Sequence, residues 1–229
     1  MPSFKDSLDN EKSWHLANFI RSLSPEKRPE VNGVIKSKKV SNNIPVDPSN
    51  PFWQEQGEAG GAEWWFPLVG QVIREPRHFT PTVRDIFVKS VYNEKEIAFL
   101  VSWNDPSQSK EGDPLPKAGG GEGDDDLFGG EETAVATALD DAMAIQFPNQ
   151  ILAGLKKPYF LMGDEKNGVN LWTWKAGKLI ESNANGIDKE KTQSSNSQAV
   201  VGGGGYKEGR YQVVMKRSLA TADKEEDIQ

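Results

Sequence analysis

Residues 83–105 read VRDIFVKSVYNEKEIAFLVSWND, and this stretch decides the fold class. Asp85 to Tyr92 (DIFVKSVY) and Glu96 to Trp103 (EIAFLVSW) are rich in β-branched and aromatic residues, which favour extended strands. The polar triplet Asn93-Glu94-Lys95 between them suits the turn of a β-hairpin. The sequence therefore predicts two neighbouring antiparallel strands here.

Short apolar segments of the same kind recur further along the chain. They predict strands at Ala142 to Phe147 (AMAIQF), Asn170 to Trp174 (NLWTW) and Arg210 to Arg217 (RYQVVMKR). Glycine-rich connections separate these segments, without the strand–helix alternation that marks a parallel sheet. We therefore predict an all-β fold, an antiparallel β-sandwich with long loops.

Two polar insertions interrupt this pattern. Pro106 to Thr133 is rich in glycine and aspartate, and Ser182 to Gln198 is rich in Ser, Asn and Gln. Both lack the apolar side chains of a core and are predicted to be mobile surface loops. The run Gly202 to Gly205 lacks the Gly-Lys-Ser/Thr ending of a phosphate loop, so we interpret it as turn or loop.

The first residues differ in character from the rest. Apolar side chains from Trp14 to Leu23 recur at helical spacing and predict one N-terminal α-helix, which ends at Ser24-Pro25. We assign residues 1–27 to an N-terminal segment that contains this helix, 28–45 to a polar linker, 46–222 to the sandwich and 223–229 to a charged tail.

Composition excludes several classes of function. The 229 residues include no cysteine and two histidines, and 27 basic against 34 acidic side chains give a net charge of −7. Without cysteine, thiolate metal sites, a cysteine nucleophile and a covalent haem c attached through Cys-x-x-Cys-His are excluded. An acidic chain without a basic cluster argues against nucleic acid as a partner. No Gly-x-Ser-x-Gly elbow is present, so catalysis within this chain is disfavoured.

Hydropathy also bears on location. The most apolar short run, Ile97 to Trp103, is far below the roughly 20 residues that a membrane span needs. Residues 1–12 lack the apolar segment of a signal peptide. We predict no membrane span and no export signal in these residues.

Strand alternation assigns faces to two notable side chains. Met143 shares a face with Ile145 and Phe147, whereas Lys216 lies on the face of Val214 and not on that of Met215. From the residues alone, methionine fills a core and lysine lies at a solvated strand end. Two tryptophans, Trp172 and Trp174, also share one face, where they either fill the core or form the wall of a site for a flat ligand or a sugar.

Five segments in register carry a family resemblance. In order they are VRDIFVKSVYNEKEIAFLVSWND (83–105), DDAMAIQFP (140–148), PYFLMGD (158–164), VNLWTWKA (169–176) and EGRYQVVMKRSL (208–219). They resemble the haem b-binding gamma subunit of the ethylbenzene dehydrogenase type. Similar subunits serve dimethylsulfide dehydrogenase, selenate and chlorate reductases and nitrite oxidoreductase. The resemblance covers about residues 46 to 220.

The resemblance implies a β-sandwich that holds one non-covalent haem b between a methionine and a lysine. On this sequence, Met143 matches the sulfur ligand and Lys216 the nitrogen ligand, with Met162 and His78 as alternates. Trp172 and Trp174 are candidate pocket residues. Arg217 either pairs with a haem propionate or is a surface arginine.

The implied function is electron transfer without catalysis. The haem would relay electrons between the iron–sulfur subunit of a molybdopterin oxidoreductase, itself joined to a molybdopterin catalytic subunit, and a cytochrome c. Such complexes work in the periplasm or otherwise outside the cytoplasm. Two alternatives remain: a carbohydrate-binding sandwich with Trp172 and Trp174 as stacking platforms, and a purely structural β-domain.

The N-terminal segment has a resemblance of its own. Met1-Pro2-Ser3-Phe4 followed by DNEKSWHLANFIRSLS is similar to the end of a class I cytochrome c, where Met-Pro supplies an axial ligand and a tryptophan-bearing helix closes the domain. This implies a truncated cytochrome c at residues 1–27. An ordinary amphipathic helix is the alternative.

Overall fold

The computed structural model describes residues 34–54, 60–73, 79, 81–109, 140–150, 158 and 160–221. Its elements, in chain order, are β1 (Lys38–Lys39), the one-turn helix α1 (Pro51–Gln54), β2 (Glu63–Pro67), β3 (Asp85–Tyr92), β4 (Glu96–Asn104), β5 (Ala142–Pro148), β6 (Val169–Lys175), β7 (Lys178–Ala184), β8 (Glu190–Thr192), β9 (Val201–Lys207) and β10 (Arg210–Ser218). Within these ranges, no helix has the length and apolar character that a membrane crossing requires.

The strands form two sheets. The six-stranded sheet has the order β1-β3-β4-β10-β9, with β2 also paired to β3, and the four-stranded sheet has the order β5-β6-β7-β8. All pairings are antiparallel except that of β1 with β3. The predicted all-β, antiparallel sandwich is confirmed. The predicted N-terminal helix, the charged tail and most of the acidic insertion lie outside the described residues.

The hairpin of residues 85–104 is the centre of the six-stranded sheet. Strand β3 has the predicted bounds, β4 is one residue longer than predicted, and Tyr92 pairs with Ile97 across the turn. The Asn93 side chain accepts hydrogen bonds from the backbone N–H groups of Lys95 and Glu96, at 2.8 and 2.9 Å. An asparagine that bonds its own turn in this way fixes the register of the two strands.

The two sheets enclose an aromatic core. Because strand side chains alternate, every second residue of β4, β6 and β10 points between the sheets. The buried members of this inter-sheet core are Val88, Phe99, Val101, Trp103, Trp172, Trp174, Tyr211, Val213 and Met215.

Residues 34–54 cover the other face of the six-stranded sheet, and we call them the covering segment. Ile44 and Trp53 are fully buried there against Leu100 and Val214. The Trp53 indole donates a hydrogen bond to the Pro45 carbonyl at 3.0 Å, which satisfies its only polar atom. The described part of the predicted linker, residues 34–45, therefore packs on the sheet and belongs to the sandwich.

Two segments predicted as loops contain strand. Ser182 to Gln198 includes the end of β7 and all of β8, and Ser182 is buried with its hydroxyl donating to Glu190 at 2.6 Å. Gly202 to Gly205 lie inside β9 and pair with β10. Both predictions were wrong, because polar side chains with hydrogen-bond partners can be buried and glycines can pair through their backbone.

Candidate functional site

Met143 lies in β5 with its side chain towards the inter-sheet core. It packs there together with Ile145 and Phe147, so the predicted face is confirmed. Its cross-strand partner in β6 is Trp174. A thioether is a soft, neutral donor, and this one packs against the aromatic inter-sheet core.

Lys216 lies on the opposite face of the six-stranded sheet. Its Nζ donates to the Ile44 carbonyl at 2.9 Å and pairs with a Glu96 carboxylate oxygen at 3.0 Å. The neighbouring Met215 points into the inter-sheet core, so the backbone of β10 separates Lys216 from that core. The structure does not bring Lys216 and Met143 together.

Met162, one of the two alternate ligands, does not lie in the inter-sheet core either. Met162 packs against Val169 and Leu171 on the outer face of the four-stranded sheet, opposite to Trp172. Its backbone has φ 56°, and its N–H donates to the Gln146 side chain at 2.9 Å. His78 lies outside the described residues.

Trp172 and Trp174 are 1% and 3% exposed, deep between the two sheets. A stacking platform for sugars has to present its rings to solvent, so these two side chains do not form one, and the carbohydrate-binding alternative loses its basis. The Trp172 indole donates to Asn170 at 2.7 Å. The buried Trp174 Nε1 has no hydrogen-bond acceptor among the described residues, which is unusual for a buried N–H group.

Arg217 is neither exposed nor free for a ligand. It is 3% exposed and pairs with the fully buried Glu181 carboxylate at 2.8 Å. Its guanidinium lies 5.0 Å from the centroid of the Trp172 ring, a cation–π distance. Glu181 also accepts hydrogen bonds from the backbone N–H groups of Ala199 and Val200, at 3.0 and 3.2 Å. The prediction of a surface arginine was wrong, because the odd-numbered face of β10 is buried.

A cluster of aromatic and acidic side chains at one end of the core was missed by the sequence analysis. The Tyr211 hydroxyl donates to Asp141 at 2.6 Å, and the rings of Tyr211 and Trp103 stack at 4.8 Å. Burial, followed by the hydrogen bond to Asp141, raises the pKa of Tyr211 well above its ordinary value. Burial likewise raises the pKa of Asp105, beside Trp103. Strand alternation in the sequence could have shown that the Tyr211 side chain points into the core. It could not have shown the hydrogen bond to Asp141, which is 70 positions away.

These features define a class of protein: an antiparallel β-sandwich whose inter-sheet core is aromatic and has the Met143 thioether packed against it. The model of the family described as "Ethylbenzene dehydrogenase" matches residues 65–199, more than half of the chain. The chain belongs to this family, as the resemblance of its five segments predicted.

A relative from Haloferax mediterranei is described as "Putative respiratory nitrate reductase heme subunit ORF7". It is 24% identical to this chain over an alignment that covers 82% of this chain and 61% of the relative. The chain therefore matches somewhat less than two thirds of that protein's length.

Proposed function

We propose that this chain is a haem-binding, electron-transferring subunit of an oxidoreductase complex and not its catalytic subunit. Membership of the ethylbenzene dehydrogenase family carries this proposal, and the haem subunit named among its relatives supports it. Because the chain has no cysteine, the haem would be held without thioether bonds, as haem b is.

Two groups of the inter-sheet core would hold such a cofactor. Met143 would offer its thioether to the iron, and the Trp174 N–H, which has no acceptor in the described part of the chain, would find one in a propionate oxygen. A bound haem would supply one-electron iron chemistry. Lys216 does not fit beside Met143, since β10 lies between them. Its assignment as the nitrogen ligand stays a prediction that requires the last strand to rearrange.

The partners follow from the family resemblance. The haem would exchange electrons with the iron–sulfur subunit of a molybdopterin oxidoreductase and with a cytochrome c, outside the cytoplasm. Co-expression with such an iron–sulfur subunit, followed by co-purification, tests the first partner.

Reconstitution of the purified chain with haemin tests the cofactor. We expect one haem per chain with a low-spin spectrum, because two protein ligands would leave no open position on the iron. Met143→Leu keeps the side-chain volume and removes the sulfur, so it should give a high-spin spectrum or weaker haem binding. Met162→Leu is the matched control on the outer face and should change nothing. A chain that binds no haem would refute the proposal.

The variant Lys216→Leu tests the second ligand, because leucine cannot bind iron. A high-spin spectrum would support ligation by Lys216 in a rearranged strand. An unchanged low-spin spectrum would place Lys216 outside the haem site, as in the described arrangement.

A further inference from the structure

Four aromatic rings form a continuous contact chain at one end of the sandwich, and we call them the aromatic relay. Tyr211 lies at its centre, 4.8 Å from the ring of Trp103, 5.0 Å from Tyr206 and 5.4 Å from Trp174, between centroids. Trp103 and Trp174 also meet, at 6.2 Å. Tyr206 is half-buried, so the relay runs from the inter-sheet core towards solvent.

A proton acceptor lies within hydrogen-bond distance of the Tyr211 hydroxyl. Its hydroxyl donates to Asp141 at 2.6 Å, the length of a charge-assisted bond between a hydroxyl and a carboxylate. The same carboxylate oxygen accepts the Ser109 N–H at 2.7 Å, which fixes its position. A phenol loses an electron readily only when its proton can leave at the same time, and this geometry provides the base.

We propose that Tyr211 is a redox-active tyrosine, oxidised by one electron as its phenolic proton passes to Asp141. The Tyr211 O–H bond breaks and an O–H bond forms on Asp141 Oδ2, which leaves a neutral tyrosyl radical and a protonated carboxyl. The electron leaves through the neighbouring rings to an added one-electron oxidant, a ruthenium(III) polypyridyl complex. Reduction and return of the proton restore the starting state.

The position of the relay suggests its purpose. Trp174 is the cross-strand partner of Met143, so one end of the relay lies beside the proposed haem ligand. The other end, Tyr206, reaches the surface, with its hydroxyl donating to the Asp105 carbonyl at 3.3 Å. An oxidising equivalent that reaches Trp174 would thus be carried towards solvent. The relay consists of side chains of this chain alone, so the inference does not rest on haem binding.

Flash photolysis of the full chain without haem tests the relay. Ruthenium(II) tris-bipyridine is excited in the presence of hexaammineruthenium(III), and the ruthenium(III) tris-bipyridine formed oxidises the protein. We expect a tyrosyl radical in transient absorption and in the EPR spectrum of frozen samples. Tyr211→Phe should lose most of this signal, whereas Tyr92→Phe, outside the relay, should keep it.

The proton acceptor is tested separately, with a variant that keeps the tyrosine. Asp141→Asn retains an oxygen that accepts the hydrogen bond but is a much weaker base, so formation of the radical should slow by about 10²-fold. Asp140→Asn is the neighbouring control and should leave the rate unchanged. An undiminished tyrosyl signal in Tyr211→Phe, or an unchanged rate in Asp141→Asn, would overturn the proposal. If Tyr211→Phe does not fold, the Asp141→Asn rate decides alone.

Discussion

Arg217 and Glu181 carry opposite charges into the centre of the sandwich, where side-chain exposure is 3% and 0%. Removing water from two charges is costly, and their pairing, the hydrogen bonds to Glu181 and the contact of Arg217 with the Trp172 ring offset that cost. The pair is therefore vulnerable to any change that removes one member.

We predict that Glu181→Gln, which keeps the shape and removes the charge, destabilises the fold by about 3 kcal/mol. The guanidinium of Arg217 would stay buried without a counter-charge. Urea unfolding followed by tryptophan fluorescence measures this loss. Glu165→Gln is the control, because Glu165 pairs with Lys189 at the surface, where side-chain exposure is 81% and 58%, and should change little. Equal losses in the two variants would contradict the buried role of Glu181.

Asp105 should make stability depend on pH. Burial raises the pKa of its carboxyl in the folded state, so the folded chain holds this proton more tightly than the unfolded chain. Stability therefore falls as pH rises from the ordinary pKa through the raised one, and above both the buried carboxylate opposes folding.

We predict that Asp105→Asn raises the melting temperature at neutral pH. The amide oxygen would still accept the hydrogen bond that the Ser107 N–H donates at 3.1 Å. The gain should shrink in acid, below the ordinary aspartate pKa of about 3.9, because both states are then protonated in the parent chain. Thermal unfolding of both proteins across this pH range is the measurement, and a gain that is constant with pH would be evidence against this account.

At the level of residues, the sequence predicts on which face of a strand a side chain lies, but not which distant side chain it contacts. Alternation placed Met143 inward and Lys216 on the face of Val214, and both assignments are confirmed. Nothing in the sequence pairs Arg217 with Glu181, which is 36 positions away. The pairing of these two side chains depends on how the two sheets stack, and the alternation of side chains along a single strand carries no information about that stacking.

At the level of elements, five strands rich in apolar side chains could be predicted, whereas β2 (EWWFP) and β9 were missed. β3, β4, β5, β6 and β10 were predicted to within one residue at each end. β9 has the sequence VGGGGYK and offers four consecutive glycines, a composition typical of a loop. β9 forms because β10 beside it offers a full row of backbone N–H and C=O groups for pairing. The strand therefore depends on its neighbour and not on its own side chains.

The glycines of β9 are required on one face only. A Cβ atom on Gly202 or Gly204 would collide with the backbone carbonyl oxygen of Val214 or Gln212 in β10, whereas a Cβ on Gly205 would meet nothing within 4 Å. We predict that Gly202→Ala and Gly204→Ala each destabilise the sandwich by about 1–3 kcal/mol through this overpacking.

Gly205→Ala is the matched control in the same strand. It should be neutral or stabilise slightly, since glycine within a strand costs about 0.5–1 kcal/mol relative to alanine. Urea unfolding of the three variants provides the comparison. Similar losses in all three would show that flexibility of β9, and not its close approach to β10, requires glycine.

At the level of the whole molecule, the family and the sandwich were both recognisable from the sequence, but the way the chain covers its own sheet was not. Residues 34–45 are polar enough to be interpreted as a linker, yet Ile44 is fully buried. The Glu96–Lys216 pair holds both polar groups of the Ile44 backbone: Glu96 accepts its N–H at 3.3 Å, and Lys216 donates to its carbonyl at 2.9 Å. One apolar side chain and one ion pair thus fix a segment of otherwise polar composition.

This arrangement gives Lys216 a role that can be separated from iron ligation. We predict that Lys216→Leu loosens the covering segment in the haem-free chain, because Glu96 loses its cation and the Ile44 carbonyl loses its donor, at a cost of about 1–3 kcal/mol. Limited proteolysis within residues 34–54 should become faster and the urea midpoint should fall. Lys39→Leu removes a lysine from the same segment whose partner Glu94 is exposed, so it should have little effect. If Lys216→Leu leaves proteolysis and unfolding unchanged but abolishes a low-spin haem spectrum, the lysine serves the iron, and the last strand must turn its other face inward when haem binds.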